Sequence, residues 1–375
     1  MSAIGNTSLS FSEEQGMLMD VASEFCRDKS PISEVRSQLD TENGFNQALW
    51  DEMVALGWAG IAVPEAQGGS GLDIGALVPV VEAMGRAMLG TPLISTSLAG
   101  QLLMRAGSSE QRDRLLPGIA QGTVATAALL DSGDWGSEAV ALNLDDARVL
   151  RGGKKFVADA AAASLFVVSV MHKGEVALAV VRLDQLNSTS LSPNTLIDQT
   201  KRSANVDFTG IEVDENNVIT GSKVASALRD VRLLGALLIG AESTGSAGAC
   251  LDTVVEYLNT RKQFGKLIGS YQALKHPAVQ ILLDTDDARS FVYHAATLVS
   301  DEVLDRDAEV ACRMAKAKAS EALLYAGDRA VQFHGGMGFT YECDAQLYIR
   351  RAQWAQHQFG DARLQRKRLA ALLLD

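Results

Sequence analysis

The sequence predicts an α+β protein of three domains, with helical regions at both ends of the chain and a β domain between them. Apolar residues recur at helical spacing through the first 120 positions, short valine-rich segments follow, and helical spacing returns near Ala227. From these changes we predict an N-terminal helical domain over residues 1–120, a middle β domain over 121–226 and a C-terminal four-helix bundle over 227–375. A chain of 375 residues is long enough to bury a core in each of them.

The N-terminal domain begins with a predicted helix whose first turn has capping-box spacing. Ser10 and Glu13 are placed so that each side chain can bond the other residue's backbone N–H. Met17, Val21 and Phe25 then recur every four residues, which predicts one apolar face. Further helices are predicted in NQALWDEMVALGW, ALVPVVEAMGRAM and STSLAGQLLMRAG, and the glycine-rich segment VPEAQGGSGL interrupts the series.

The strands of the middle domain are predicted from segments bounded by Gly, Asp, Asn or Ser, namely TVATAALL, LFVVSVMH, VALAVVRL and ANVDFTGIEV. HKGE, which joins the second segment to the third, is a good hairpin turn. The bundle is predicted from amphipathic segments such as GACLDTVVEYLNTRKQFG and AEVACRMAKAKASEALLYAGDRAVQFHGG.

Composition limits the possible functions. Thirty-four basic and 46 acidic residues give a net charge of −12, which disfavours nucleic-acid binding over a broad face. The four cysteines form no C-x-x-C pair, so we predict neither a metal site nor a disulfide framework. The N-terminus MSAIGNTSLSFSEEQ lacks the pattern of a signal peptide, and no apolar run is long enough to span a membrane. We therefore expect a cytoplasmic protein.

Two motifs at the ends of predicted helices identify a family. RKQFG occupies residues 261–265, and QFHGGMG follows about 70 residues later, at 332–338. With LGWAGIAVPEAQGGSGL near the N-terminus and the α–β–α order, these motifs resemble the acyl-CoA dehydrogenases over nearly the whole chain. The resemblance implies the acyl-CoA dehydrogenase fold, FAD as the cofactor and α,β-desaturation of an acyl-CoA substrate.

In that family the two motifs contact the FAD held by a neighbouring subunit. By resemblance, Arg261 pairs with a pyrophosphate through its planar guanidinium, and Phe264 lies against the flavin or the adenosine. Gln332 would hydrogen-bond a ribose or the adenine. Gly335 and Gly336 have no Cβ, so their backbone can approach the cofactor closely.

The motifs by which a family member holds its own flavin are altered. The family pattern T-E-P-x-x-G-S-D corresponds to LLDSGDWGS, where Glu138 follows Gly136-Ser137 in place of Asp. The pattern W-x-T/S, whose hydroxyl bonds the flavin, corresponds to the start of FVADAAA. Phe156 stands at the aromatic position and Ala158 at the hydroxyl position, where a methyl group cannot donate a hydrogen bond.

The catalytic base is altered as well. The reaction needs a carboxylate near the α-carbon of the acyl-CoA, and many members supply it as the Glu of I-Y-E-G-T. Phe359 stands at that position, and Asp361 lies two residues later. Other members carry the Glu on the first helix of the bundle, where this chain has Gly235-Ala236.

The motifs that serve a neighbour's flavin are therefore intact, whereas those for this chain's own flavin and chemistry are altered. We predict a subunit of an α2β2 acyl-CoA dehydrogenase that lends FAD-binding residues in trans to a homologous catalytic partner. Family heterotetramers of this kind shorten steroid side chains, which implies a bulky steroid-derived acyl-CoA as substrate. Electron-transfer flavoprotein is the expected electron acceptor.

Three alternatives stay open. A self-sufficient homotetramer could use a displaced base, for which Asp361 and Glu242 are candidates. Asp361 is equally suited to cap the helix that follows it, and Glu242 to a contact with a neighbouring helix. The same scaffold could catalyse a non-oxidative elimination, such as loss of a sulfinate. The chain could also be a structural or regulatory subunit without chemistry.

Overall fold

The computed structural model describes residues 13–300 and 303–374, so the expected cap at Ser10 lies outside the described residues. The last helix of the N-terminal region begins at a capping box in which Ser108 and Gln111 bond each other's backbone N–H groups. The helices described in this region are α1 (Glu13–Lys29), α2 (Ile32–Ser37), α3 (Gln47–Ala55), α4 (Val78–Arg86), α5 (Leu93–Ala106) and α6 (Ser109–Ala120).

Helix α1 forms as predicted, but its buried face differs from the prediction. Met17 and Val21 are exposed, whereas Phe25 and Leu18 pack against the core and Ala22 and Cys26 are buried in it. Both stripes carry apolar residues at helical spacing, so the spacing alone could not choose between them.

The middle region contains two β-sheets. In the larger sheet the strand order is β3-β2-β5-β6-β9, and β1 also pairs with β5; the smaller sheet has the order β4-β8-β7. His172 faces Glu175 across the antiparallel β5–β6 pair, so the predicted hairpin is confirmed. The strands are β1 (Ala125–Ala128), β2 (Asn143–Leu144), β3 (Leu150–Arg151), β4 (Gly153–Ala158), β5 (Leu165–His172), β6 (Glu175–Arg182), β7 (Leu191–Pro193), β8 (Ser203–Asp207) and β9 (Val218–Ile219).

Helix α7 (Lys223–Thr260) is the central element of the C-terminal region. It packs against α4 and α5 on one side and against other helices of the bundle on the other, so its middle part is buried all round. The remaining elements are the hairpin strands β10 (Lys262–Gln263) and β11 (Lys266–Leu267), followed by α8 (Gln272–Ala296), α9 (Arg306–His334), α10 (Ala345–Ala355) and α11 (Ala362–Leu374). Within the described ranges, the search for a helix with the length and apolar character of a membrane span finds none.

Candidate functional site

The two sequence motifs lie at the same end of the bundle, because α7 and α9 both end there. Tyr257, in the last turn of α7, stacks on His334 at the end of α9, with ring centroids 4.1 Å apart and 27° between the planes. Arg261 follows α7 directly, and the β10–β11 hairpin then carries Phe264 at its turn. The ring stack therefore joins two segments that are distant in sequence.

The side chains at this end are available to a ligand or a neighbouring chain. Arg261 and Gln332 are exposed, and neither side chain has a hydrogen bond or ion pair with any other residue in the described part of the chain. Phe264 has 91% of its surface exposed, and Phe339 and Tyr341 are exposed as well. A guanidinium without a partner and exposed aromatic rings are the groups that would bind an anion and a flat ring system.

The three glycines of the second motif have different physical roles. Gly335 ends α9 with φ of 62°, a left-handed backbone that glycine adopts at little cost. A Cβ on Gly338 would meet the backbone of Val331, whose Cα would lie 2.8 Å away, so packing requires glycine there. Apart from its chain neighbours and its own helical turn, no described atom lies within 4 Å of the place that a Cβ on Gly336 would take. Close approach of an external group would explain why residue 336 is a glycine.

A large pocket opens where the middle region meets the bundle. It is a cavity of about 80 Å³ that opens to solvent. Helix α5, the ends of β1 and β4, the segment after β7, helix α7 and the segment after α10 form its wall. The lining is largely apolar, and its polar members include Thr91, Ser95, Lys155, Asp159, Lys201 and Arg202.

Gly235 and Phe359, which the resemblance assigns to the two positions of the catalytic carboxylate, are in contact, and Phe359 lines this pocket. Three ring atoms of Phe359 lie within 2.7 Å of the place that a Cβ on Gly235 would take, so the ring packs on the backbone of α7. Trp135 packs against Phe359 with ring centroids 4.4 Å apart. Phe359 therefore occupies the space beside Gly235, and Trp135 packs on its ring.

A buried lysine holds the segment that carries Phe359. Lys316 on α9 donates hydrogen bonds to the carbonyl oxygens of Ala355 at 3.0 Å and Gln356 at 3.2 Å, at the end of α10. Burial lowers the pKa of Lys316 to about 7. Phe359 and Gly360 then adopt left-handed backbone, with φ of 55° and 95°, and lead into α11.

The two alternative candidates for a base have structural partners. Asp361 accepts a hydrogen bond from the Leu364 N–H at 2.8 Å and caps α11. Glu242 is buried on α7, where it pairs with Lys201 and with Arg351 at 3.2 Å. Neither carboxylate lines the large pocket.

The structure brings an acidic residue into the pocket that the sequence analysis missed. Asp159 follows Ala158 at the end of β4 and accepts a hydrogen bond from the Ser95 hydroxyl at 2.6 Å. Burial raises the pKa of Asp159 to about 6, although this hydrogen bond and the nearby Lys201 act in the opposite direction. The only sequence signal was an acidic residue beside the altered hydroxyl position.

The residues of the large pocket fit a flavin of this chain's own poorly. Ala158 offers a methyl group where a donor is needed, and the Asp159 carboxyl group lies directly beside it. The end of the bundle near Arg261 fits a cofactor better, because its guanidinium has no partner in the described chain and Gly336 leaves open space. The individual roles of these residues stay predictions.

Comparisons with known proteins agree with this architecture. Residues 12–123 match the family model "Acyl-CoA dehydrogenase, N-terminal domain", and residues 226–374 match "Acyl-CoA dehydrogenase, C-terminal domain". Acyl-CoA dehydrogenase FadE12 of Mycobacterium tuberculosis is 30% identical over 337 residues, which cover 82% of this chain and 83% of the relative. Acyl-CoA dehydrogenase IpdE2 of Mycolicibacterium smegmatis is 29% identical over 364 residues, which cover 96% of this chain and 99% of the relative. A solved variant of the Tcur3481–Tcur3483 steroid ACAD superposes with a TM-score of 0.83 at 26% identity, covering 96% of this chain and 98% of that one.

The fold is that of the flavoprotein oxidoreductases that act on acyl-CoA. The chain belongs to the acyl-CoA dehydrogenase family, whose cofactor is FAD. The predicted fold class is thereby confirmed, with helices first, then β-sheets, then the bundle. The domain boundaries near residues 120 and 226 remain a prediction from the sequence.

Proposed function

We propose that this chain is the non-catalytic subunit of a heteromeric acyl-CoA dehydrogenase and completes the FAD site of a homologous catalytic partner. The contact between Phe359 and Gly235 carries the proposal, because it leaves no carboxylate at either of the family's two base positions. This chain therefore lacks, at both positions, the carboxylate with which the family removes the α-proton of an acyl-CoA. Catalysis therefore occurs in the partner's pocket.

The exposed end of the bundle supports the second half of the proposal. Arg261, Phe264, Gln332, Gly335 and Gly336 would hold the partner's FAD, which serves as electron acceptor for the desaturation when bound. Arg261 supplies a bidentate donor for the pyrophosphate, and the glycines admit close approach of the backbone. Electron-transfer flavoprotein reoxidises the cofactor.

The proposed substrate is a bulky acyl-CoA derived from a steroid. Support comes from the relatives, since one similar structure is described as the Tcur3481–Tcur3483 steroid ACAD and carries the names of two chains. A subunit that gives up its own flavin leaves space for a large acyl group. The proposed assembly is an α2β2 tetramer.

The alternatives receive less support. A homotetramer with Asp361 as base would need a carboxylate that is instead engaged in capping α11. Elimination without oxidation would still need a flavin as scaffold, which Ala158 disfavours. A purely structural subunit differs from the proposal in one respect, which is whether Arg261 contributes to flavin retention.

Flavin content per chain tests the proposal. We would purify the chain alone and together with a homologous partner that carries the glutamate, and measure flavin absorbance against protein. We expect no flavin in the lone chain and one FAD for every two chains in the complex. About one FAD per chain in the lone protein, bleached by an acyl-CoA, would show a complete dehydrogenase and contradict the proposal.

A further inference from the structure

His334 stands between Gln332 and the glycines of the second motif, and the family resemblance assigns no role to it. It is the last residue of α9 and is half-buried. One face of its ring stacks on Tyr257, in the last turn of α7. The orientation of the imidazole is therefore restricted although it lies at the end of a helix.

The two ring nitrogens of His334 have different surroundings. Nδ1 lies 2.7 Å from the carbonyl oxygen of Ala330, one turn earlier in α9. Because a carbonyl oxygen can only accept, Nδ1 carries the proton and donates this hydrogen bond. In the neutral ring the other nitrogen, Nε2, is then an acceptor, and it has no hydrogen-bond partner in the described part of the chain. Since Nδ1 is directed back along α9, Nε2 is directed away from that turn.

The ring stack places this acceptor near Arg261. Tyr257 and Arg261 are four residues apart, and the Arg261 N–H donates to the Tyr257 carbonyl at 2.9 Å, as in a helical turn. The Cβ atoms of two residues at this spacing lie about 5–6 Å apart on one side of a helix. His334 packs on Tyr257, so its ring lies within about one helical turn of the place where the Arg261 side chain begins.

We propose that Nε2 of His334 accepts a hydrogen bond from a sugar hydroxyl of the dinucleotide whose pyrophosphate pairs with Arg261. This inference rests on the proposed function, in which the partner's FAD lies at this end of the bundle. In a dinucleotide a sugar adjoins the pyrophosphate on each side, so an acceptor one turn from Arg261 meets a sugar hydroxyl before it meets either ring system. A side chain that is already held by a stack and a hydrogen bond loses little freedom when the ligand binds.

Two substitutions separate the acceptor from the stack. His334→Phe keeps a ring on Tyr257 and removes the acceptor, whereas His334→Gln removes the ring and keeps an acceptor of similar reach. We would measure the FAD affinity of each variant in the complex with a homologous partner that carries the glutamate, at about pH 8, where an ordinary imidazole is neutral. His334→Phe should weaken FAD binding about 3- to 10-fold, and His334→Gln should weaken it less.

His294→Phe is the matched control. His294 is exposed and lies in the last turn of α8, about 30 Å along that helix from its first residue, which follows the β10–β11 hairpin. Its replacement should leave the FAD affinity unchanged. If His334→Phe does not fold, His334→Leu, which also lacks an acceptor, is compared with His334→Gln. The melting temperature of each lone variant shows that the chain is folded.

Competition of ADP with FAD distinguishes the two sugars, because ADP has the ribose and the pyrophosphate but no ribityl chain. If the hydroxyl belongs to the ribose, His334→Phe weakens ADP as well as FAD. Either 2′-deoxy-ADP or 3′-deoxy-ADP then binds the unmodified complex more weakly than ADP does, and this difference disappears in His334→Phe. If the hydroxyl belongs to the ribityl chain, His334→Phe weakens FAD and leaves ADP unchanged.

Normal FAD affinity in a folded His334→Phe complex, or a larger loss in His334→Gln than in His334→Phe, would overturn the inference, because the ring would then serve only to pack. Arg261→Ala, measured in parallel, shows whether the proposed function fails with it. Weakened FAD binding in Arg261→Ala beside normal binding in His334→Phe refutes the role of His334 alone. Normal FAD binding in both variants refutes the cofactor site at this end of the bundle.

Discussion

The ring of Phe359 packs on the backbone of Gly235, so the two places from which family members present their base are in contact in this chain. One lies in the segment before α11 and the other on α7. The two residues explain each other, because an aromatic ring fits at 359 only where α7 has no Cβ. The absence of a glutamate at residues 235 and 359 and the contact of the Phe359 ring with α7 are therefore two aspects of the same packing.

This contact predicts an energetic coupling between the two positions. Gly235→Ala should lower the free energy of unfolding by about 1–3 kcal/mol, because the new methyl group overlaps the Phe359 ring. In a Phe359→Ala background the same change should cost much less, which a double-mutant cycle by urea denaturation measures. Gly100→Ala on α5 is the control, since its Cβ would meet only ordinary contacts at 3.7 Å. Equal costs of Gly235→Ala in both backgrounds would contradict the packing.

Arg261 should matter for flavin retention and not for folding. Arg261→Ala in the complex should weaken FAD binding by about 1.5–3 kcal/mol, roughly 10- to 150-fold, because a charge-assisted hydrogen bond is lost. Flavin release on dilution measures the affinity, and the melting temperature of the lone chain should not change, since the side chain has no partner in the described structure. Arg366→Ala should leave the affinity as it was. Normal flavin affinity in Arg261→Ala would favour a purely structural subunit.

Asp361 should be dispensable for turnover. Asp361→Asn keeps a side-chain oxygen that can accept from the Leu364 N–H, so turnover of the complex and stability should both stay close to those of the unmodified protein. Asp361→Ala removes the cap and should cost about 1 kcal/mol of stability with turnover retained. Steady-state kinetics and thermal unfolding separate the two effects. A large loss of turnover in a folded Asp361→Asn protein would favour the self-sufficient homotetramer.

The raised pKa of Asp159 predicts a specific pH dependence of stability. The pKa of this carboxyl group is about 6 in the folded chain, against an ordinary value of 3.8. Between pH 3.8 and pH 6 the carboxyl group is therefore ionised in the unfolded chain and still protonated in the folded chain. The free energy of unfolding therefore falls as pH rises through this range. Asp159→Asn removes this loss, so the variant should gain up to about 3 kcal/mol over the unmodified protein between pH 4 and pH 6.

Urea denaturation at several pH values measures the gain, and Asp207→Asn is a control of opposite sign. Hydrogen bonds from Thr209 lower the pKa of Asp207, so its carboxylate contributes stability that appears as pH rises. A constant difference between Asp159→Asn and the unmodified protein across this range would show that the Asp159 carboxyl group is not perturbed.

The sequence predicted those features that depend on local pattern. Helical spacing and the HKGE turn indicated the helices and the β5–β6 hairpin, and local motifs located Phe359 and Ala158 at altered family positions. It did not predict which stripe of α1 is buried, since both stripes are apolar and only the packing partner decides. The short strands β2, β3, β7 and β9 carry too few residues for a periodic signal.

The parts of the site that sequence reasoning missed depend on distant residues. Asp159 is perturbed because α5 brings Ser95 to it and the fold buries it. The contact of Phe359 with Gly235 joins helix α7 to the segment between α10 and α11, which is far away in the chain, and no spacing rule connects the two residues.

Two glycines after α9 are expected to have different roles, Gly338 in packing and Gly336 in cofactor binding, and alanine variants can distinguish these roles. Gly338→Ala should destabilise the lone chain by about 1–3 kcal/mol, because its methyl group would overlap the Val331 backbone. Gly336→Ala should leave the stability of the lone chain unchanged, since apart from its chain neighbours and its own helical turn no described atom lies within 4 Å of the added methyl group. If a partner's FAD approaches this backbone, the same Gly336→Ala change should weaken flavin binding in the complex.

Two measurements show why residue 336 is a glycine. The first is the melting temperature of each variant alone, and the second is the flavin affinity of its complex. Loss of flavin affinity in Gly336→Ala with an unchanged melting temperature is the result that a site completed in trans requires. Normal flavin affinity in Gly336→Ala would mean that the cofactor does not come close to this backbone. Arg261 would then have to retain flavin without the glycine segment, and the proposed trans site would be confined to the α7 end and the β10–β11 hairpin.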